Sequence, residues 1–429
     1  MLGFINPSRM LIKLTNLVKD MIESIDFKLA GNSEKRVVVN LSGKNLIITG
    51  ENGCGKTRFL RQVHIYLKEF FARQIQTKDI LQRDLDNNKL RLDKISASDQ
   101  HYNHYYLQVK NFTEKLERIS NEKMVISETD LLFELINNNQ FILRFFEANR
   151  LASQIAGNGQ VESISSVKST GKSISYEQDS SVQFEKYLVS YYNYGSHVIA
   201  RENNPEKEQH INAWFEKVQD DLRDLFEDHE LILEYNPEQQ AFYILQQGKE
   251  PYRFNNLSSG YSSILSIYAD LLMKVELRDI PAEEITGFVL IDEIDAHLHV
   301  SIQRKIFSFF DKAFPKIQFI VTTHSPFVVQ SVNDSIIYDL SKLEPLEDLS
   351  MYSYESILKG LLGVESTSDI LNEKLDEMAL IVQNDPLKKE RLKELIDSIK
   401  PHEAQLNSRS RAFLLLGKNA LLDSNNGVE

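Results

Sequence analysis

The stretch Leu46 to Thr57, LIITGENGCGKT, runs from a short apolar, β-branched segment into a glycine-rich loop ending in Lys56 and Thr57. A strand, a tight loop and a helix start are expected in that order, and together they predict a nucleotide triphosphate site. The physical reason is that a phosphate chain needs backbone N–H groups converging on it, beside the positive end of a helix. Residues Glu51, Asn52, Gly53, Cys54, Gly55, Lys56, Thr57 and Arg58 form the expected nucleotide-binding set. Lys56 should reach the β and γ phosphates, and the Thr57 hydroxyl should ligate Mg²⁺.

Outward from this loop, the bulk properties narrow the choices. The chain has 429 residues, 42% of them hydrophobic, enough for one large or two modest cores. Its formal charge of -13 disfavours a polyanion as the default partner, so a nucleic-acid contact would need a local basic stripe. The one cysteine, Cys54, excludes an intramolecular disulfide and a cysteine-rich zinc site. No apolar run approaches the ~20 residues that span a bilayer. The opening MLGFINPSRMLIKL lacks the basic-then-apolar design of a secretory signal, so a cytoplasmic location is expected.

Along the chain, short β-branched runs at Phe27 to Leu29, Val37 to Leu41 and Leu46 to Thr49 read as strands. The charged, leucine-dotted segment from Arg58 to about Ser120 reads as one or two long helices, and Gln140 to Glu147 as a strand. Gly157 to Ser181 is rich in Ser and Gly and is expected to be an exposed, mobile loop. Helical spacing resumes from Phe184 to about Phe226, and Leu231 to Tyr235 and Phe242 to Leu245 read as strands. In the tail, Leu371, Leu375, Met378 and Val382, then Leu392, Leu395 and Ile399, recur at helix spacing. Those stripes either pack on the core or dock a partner. The expected division is therefore 1–66, first part of the core; 67–130, helical insertion; 131–150, core strand; 151–230, loop and helical insertion; 231–341, second part of the core; and 342–429, helical tail.

Two further segments end in chemistry. Gly287 to Leu298, GFVLIDEIDAHL, is an apolar strand followed by paired acids, and the carboxyl end of a buried parallel strand is where this fold class binds nucleotide. Asp292 should hold the Mg²⁺ shell, and Glu293 should polarise the attacking water as the catalytic base. Phe319 to Pro326, FIVTTHSP, is another strand ending in His324, which can donate a hydrogen bond to the γ-phosphate. His297 and His299, beside Asp292 and Asp295, offer an H-x-H alternative for a transition metal, or else orient the loop.

The fourth element is Leu257, Ser258, Ser259 and Gly260 (LSSG), opening a helix about thirty residues before the paired acids. This order resembles the ABC-type ATPases, in particular their RecF, SMC and OLD branch. Gly50 to Thr57 is similar to the Walker A loop, Leu257 to Gly260 to the signature motif, Asp292 and Glu293 to the Walker B acids, and His324 to the switch histidine. Within that branch the segments QFEKYLVSYYNYGS (Gln183 to Ser196) and LLGVESTSDILNEKLDEM (Leu361 to Met378) resemble standalone ATPases of bacterial anti-phage systems, such as the Septu ATPase subunit and retron-associated ATPases.

The resemblance implies an α/β P-loop ATPase core with a mixed or parallel sheet, helical insertions and a helical tail. It implies ATP and Mg²⁺ as ligands. It further implies a head-to-tail homodimer or larger even assembly, each ATP held between Lys56 of one chain and Ser259-Gly260 of the other. The residues after His324 show neither the acidic strand clusters of a Toprim nuclease nor an HNH pattern. The expected role is thus an ATP-switched sensor or scaffold controlling a separate effector, a nuclease such as one of HNH type, in phage defence. The alternative is a DNA repair or chromosome-handling ATPase. No residue clearly matches the Q-loop; Glu147 to Arg150 is the candidate segment.

Overall fold

The computed structural model describes residues 21–72, 78–150, 162–346, 368–384 and 389–425, together with Ile155 and apart from isolated positions within those spans. Two compact units divide the chain, residues 1–354 and 355–429.

In the first unit β1 (Ile22–Lys28) and β2 (Arg36–Asn40) pair antiparallel, and β3 (Asn45–Thr49) leads into the glycine-rich loop. Helix α1 (Lys56–Phe71) follows, and then α2 (Lys78–Leu92) and α3 (Tyr102–Asn121) form a hairpin closed by Leu81, Leu85 and Leu116. Strand β4 (Glu122–Ile126) returns to pair with β1, so the segment read from sequence as wholly helical contributes a sheet strand. Next come α4 (Thr129–Asn137) and β5 (Phe141–Phe146).

Helix α5 (Ile164–Lys172), capped by the Ser163 hydroxyl, lies inside the segment expected to be an exposed loop. Val167 is fully buried, and Gly171 lets the helix pack closely on Leu277; serine-rich composition hid this short buried face. Residues 157–161 of that segment lie outside the described residues.

Helices α6 (Phe184–His197) and α7 (Pro205–Phe226), the latter with Asn204 as cap and Pro205 at its start, pack through Tyr187, Tyr191, Trp214 and Phe215. Strands β6 (Ile232–Asn236) and β7 (Ala241–Leu245) form a separate two-stranded hairpin beside these helices, with Tyr252 bridging to Ile244 of β7. Helix α8 (Ser259–Glu276) is buried along most of its length. Its Tyr268 hydroxyl donates to Asp221 at 2.7 Å, and Glu276 accepts from Tyr187 at 2.9 Å and from the Trp214 indole N–H at 2.8 Å. The helical insertion therefore clamps α8 by hydrogen bonds as well as by packing.

The chain completes the main sheet with β8 (Thr286–Ile291), α9 (Val300–Gln303), α10 (Ile306–Ala313), β9 (Ile317–Thr322), α11 (Pro326–Gln330), β10 (Ser335–Asp339) and β11 (Glu344–Leu346). Its order is β11-β10-β3-β9-β8-β5, parallel throughout except for β11 at the edge. Every residue of β3, β8 and β9 is buried, as expected of parallel strands covered on both faces. The close approach of β5 to β8 explains a glycine in this run: a Cβ on Gly287 would stand 1.9 Å from the Ile142 carbonyl oxygen. This is the α/β core that the sequence predicted, with a second, three-stranded sheet ordered β2-β1-β4.

The second unit contains α12 (Asp369–Asn384), α13 (Lys389–Ile399) and α14 (Ser408–Asn425). Leu375, Met378, Leu392, Leu395 and Ile399 are buried against one another with Leu406 and Leu414, so the apolar stripes form a core of their own. No described helix is long and apolar enough to cross a membrane.

Candidate functional site

Because five neighbouring strands run parallel, their carboxyl ends open on one edge, and every sequence-predicted segment except Leu257 to Gly260 begins there. The glycine-rich loop leaves β3, the paired acids leave β8, His324 follows β9, and Arg150 lies just beyond β5.

The loop is fixed from beneath. Gly50 and Gly55 have φ of 132° and 111°, which suit glycine, and Gly55 caps α1 in a left-handed conformation. Glu51 donates its N–H to the Ser341 hydroxyl at 2.7 Å, while the fully buried Asp339 accepts from the Ser341 N–H at 2.8 Å. Neither Ser341 nor Asp339 was legible as a site residue, since the end of β10 carries no phosphate-loop pattern. Glu51, Asn52, Gly53 and Arg58 are exposed, Thr57 is half-buried, and Cys54 is buried.

Lys56 is 6% exposed, and its ammonium donates to the carbonyls of Gly50 at 2.8 Å and Glu51 at 2.9 Å, directed into the loop. Burial lowers its pKa, opposed by the negative charge of Glu293, Asp292 and Asp295. The same three acids act on His324, whose pKa is lowered by burial and then by Lys56. Lys56, Asp292, Glu293, Asp295 and His324 thus form one electrostatic unit.

The paired acids are held from β9. The Thr322 hydroxyl donates to Asp292 Oδ1 at 2.6 Å and accepts the Glu293 N–H at 2.8 Å. Glu293 itself has φ of 47°, in the left-handed region that a non-glycine residue enters only when held there. Asp295 accepts from the Thr323 hydroxyl and from the His324 N–H, tying the histidine loop to the acid loop. His299 caps α9 and pairs with Ser301, and among the described residues no group of three or more His, Cys, Asp and Glu is arranged to hold a metal. His299 thus serves the start of its own helix.

Leu257 is half-buried, Ser258 and Ser259 are exposed at the start of α8, and Ser258 makes no side-chain cap bond to the helix. Gly260 packs on the acid loop: a Cβ there would stand 2.5 Å from the His297 carbonyl oxygen. One turn further along α8, the Ser263 hydroxyl accepts from Arg150 Nε at 2.9 Å. Arg150, 8% exposed, also donates to the carbonyls of Glu147, Asp292 and Glu293 at 2.8, 2.7 and 2.9 Å. Arg150 thus bridges the start of α8 and the acid loop.

The residues present suit a magnesium-bound polyphosphate. Asp292, Glu293 and Asp295 outnumber the buried cations Lys56 and Arg150, and the exposed loop carries a helix start.

A family model described as "AAA domain, putative AbiEii toxin, Type IV TA system" matches residues 165–330, a span that includes the LSSG segment, the paired acids and His324. The chain is 36% identical over 165 residues to the Septu protein PtuA of Bacillus mycoides, covering 35% of this chain and 23% of that protein. It is 44% identical over 85 residues to a protein of Escherichia coli named "Retron Ec83 probable ATPase", covering 19% of this chain and 16% of the other. The matched segments thus span less than a quarter of those relatives. A crystal structure of an Smc head bound to the C-winged helix domain of ScpA is similar at a TM-score of 0.36 and 15% identity, covering 74% of this chain and 94% of that one. The sequence matches bear out the resemblance to the Septu and retron-associated ATPases.

Proposed function

We propose that the protein is an ATPase of the ABC type, cytoplasmic and active in anti-phage defence, whose nucleotide state controls a separately encoded effector, a nuclease such as one of HNH type. The observation that carries this reading is the convergence of Lys56, Asp292, Glu293 and His324 into one charged cluster at the carboxyl edge of a parallel sheet. The names of the Septu and retron relatives support the defence setting.

In this reading the loop from Glu51 to Arg58 cradles the triphosphate of ATP. Lys56 exchanges its two carbonyl acceptors for phosphate oxygens. Thr57 and Asp292 would hold Mg²⁺, which when bound would supply charge neutralisation at the phosphoryl oxygens. Glu293 orients a water in line and takes its proton, and His324 donates a hydrogen bond to the γ-phosphoryl oxygen. Leu257 to Gly260 of a second copy closes the site, since the exposed helix start at Ser259 offers N–H donors.

The test is the mass of the purified protein with ATP and Mg²⁺, for wild type and Glu293→Gln, with and without the product of the neighbouring gene. An even oligomer that ATP stabilises, that Glu293→Gln traps, and that retains the neighbour is expected. A monomer that ignores both ATP and neighbour sinks the proposal.

A further inference from the structure

We infer that Arg150 is a positioning residue that couples the start of helix α8 to Glu293, its guanidinium bonding Ser263 on one side and the carbonyls of Asp292 and Glu293 on the other. The inference rests on the proposed ATPase reading and assigns the link between its two phosphate-facing elements.

The argument begins at Glu293. Its left-handed backbone is unfavourable for a residue with a side chain, so neighbours must hold its peptide groups in place. They do so from both sides: Thr322 accepts the Glu293 N–H, and Arg150 donates to the Glu293 carbonyl. The direction of the Glu293 carboxylate therefore depends on where the guanidinium sits.

That guanidinium is buried, and its third direction is taken by Ser263, one turn into the helix that begins at Ser259. Helix α8 is rigidly built, clamped at its far end by Tyr187 and Trp214 through Glu276. A displacement at Ser259 and Gly260, where a second copy's phosphates are to be met, reaches Ser263 along a hydrogen-bonded turn. From there one planar group carries it to the acids. An arginine suits this task because its rigid fork bonds in several fixed directions, whereas lysine offers one nitrogen on a flexible stem. Burial pulls its pKa down to about 10, opposed by Asp292, Asp295 and Glu293, so the fork remains cationic at neutral pH.

A purely structural arginine would affect folding and leave the chemistry of the folded enzyme alone. The experiment measures ATP hydrolysis with Mg²⁺ across ATP concentrations for wild type, Arg150→Lys, Ser263→Ala, Glu293→Gln and Arg150→Lys/Glu293→Gln, with melting temperature as the check on folding. Arg150→Lys is expected to lower kcat on the order of 100-fold, the scale of a misplaced catalytic group, with KM nearly unchanged. Ser263→Ala, which leaves the carbonyl clamp whole, is expected to lower kcat about 10-fold. In the double variant the two losses should not multiply, because both act through one carboxylate.

Wild-type protein that turns over no ATP overturns the proposed function, and this role with it. Wild-type turnover matched by Arg150→Lys, or losses that multiply in the double variant, overturns the role alone. If Arg150→Lys does not fold, Ser263→Ala decides, and an unchanged kcat there overturns the role.

Discussion

Replacing Gly260 by alanine sets two opposing effects against each other at the start of helix α8. In an unobstructed helix, Gly→Ala stabilises by about 0.5–1 kcal/mol. Here the new Cβ would stand 2.5 Å from the His297 carbonyl oxygen and 3.4 Å from the carbon of the same carbonyl. Carbon and oxygen normally approach to about 3.3 Å, so helix and loop must part by roughly 0.8 Å. The loop cannot yield cheaply, because His297 has φ of 64° and Asp295 is tied to the Thr323 hydroxyl and the His324 N–H. Overpacking of this kind costs about 1–3 kcal/mol, so a net loss of about 1 kcal/mol is expected. The larger effect should be functional: a shift approaching 1 Å between α8 and the acid loop costs on the order of 10- to 100-fold in kcat. Urea unfolding and steady-state ATP hydrolysis measure the two effects separately. An alanine variant that unfolds at higher urea, with turnover undiminished, would refute the close packing of this helix start on the acid loop.

Two further predictions concern the buried polar groups of α8. Glu276→Ala leaves the Tyr187 hydroxyl and the Trp214 N–H without their acceptor, at about 1–3 kcal/mol each, and should lower the urea midpoint with an unchanged m-value; an unchanged midpoint would show the clamp to be unimportant. Lys274 is buried, and its pKa is pulled down to about 7 from an unfolded value of 10.5. The unfolded chain therefore binds one more proton between these values, and this contribution to stability is complete above the unfolded value and lost as pH falls towards 7. Unfolding free energy should rise by about 1 kcal/mol per pH unit above pH 7.5, and Lys274→Met should flatten that slope; parallel slopes would exclude the assignment.

The elements with strong local patterns were the readable ones. LIITGENGCGKT, GFVLIDEIDAHL and FIVTTHSP each join a uniformly apolar strand to an abrupt polar end, and that discontinuity survives without any tertiary information. Helices α6, α7, α12 and α13 were visible through apolar spacing. What stayed hidden depends on contacts between distant segments. Strand β4 exists because β1 offers it an edge, about a hundred residues earlier in the chain. Helix α5 is too polar to show its one buried valine. Arg150, Thr322, Ser341 and Asp339 serve the site through hydrogen bonds across strand ends, and no spacing within one segment encodes such bonds. The tail was legible as amphipathic helices, but periodicity alone did not tell which surface would cover them.

Trp214 is the only tryptophan in the chain, and its indole N–H is bonded to Glu276 at the end of α8 opposite Ser259. The molecule therefore contains a built-in optical gauge on the element expected to move when two copies close. Light absorbed at the red edge, where the tyrosines are dark, excites this one ring. A change in emission on adding nucleotide would report strain at the far end of the helix, in unlabelled protein and in real time.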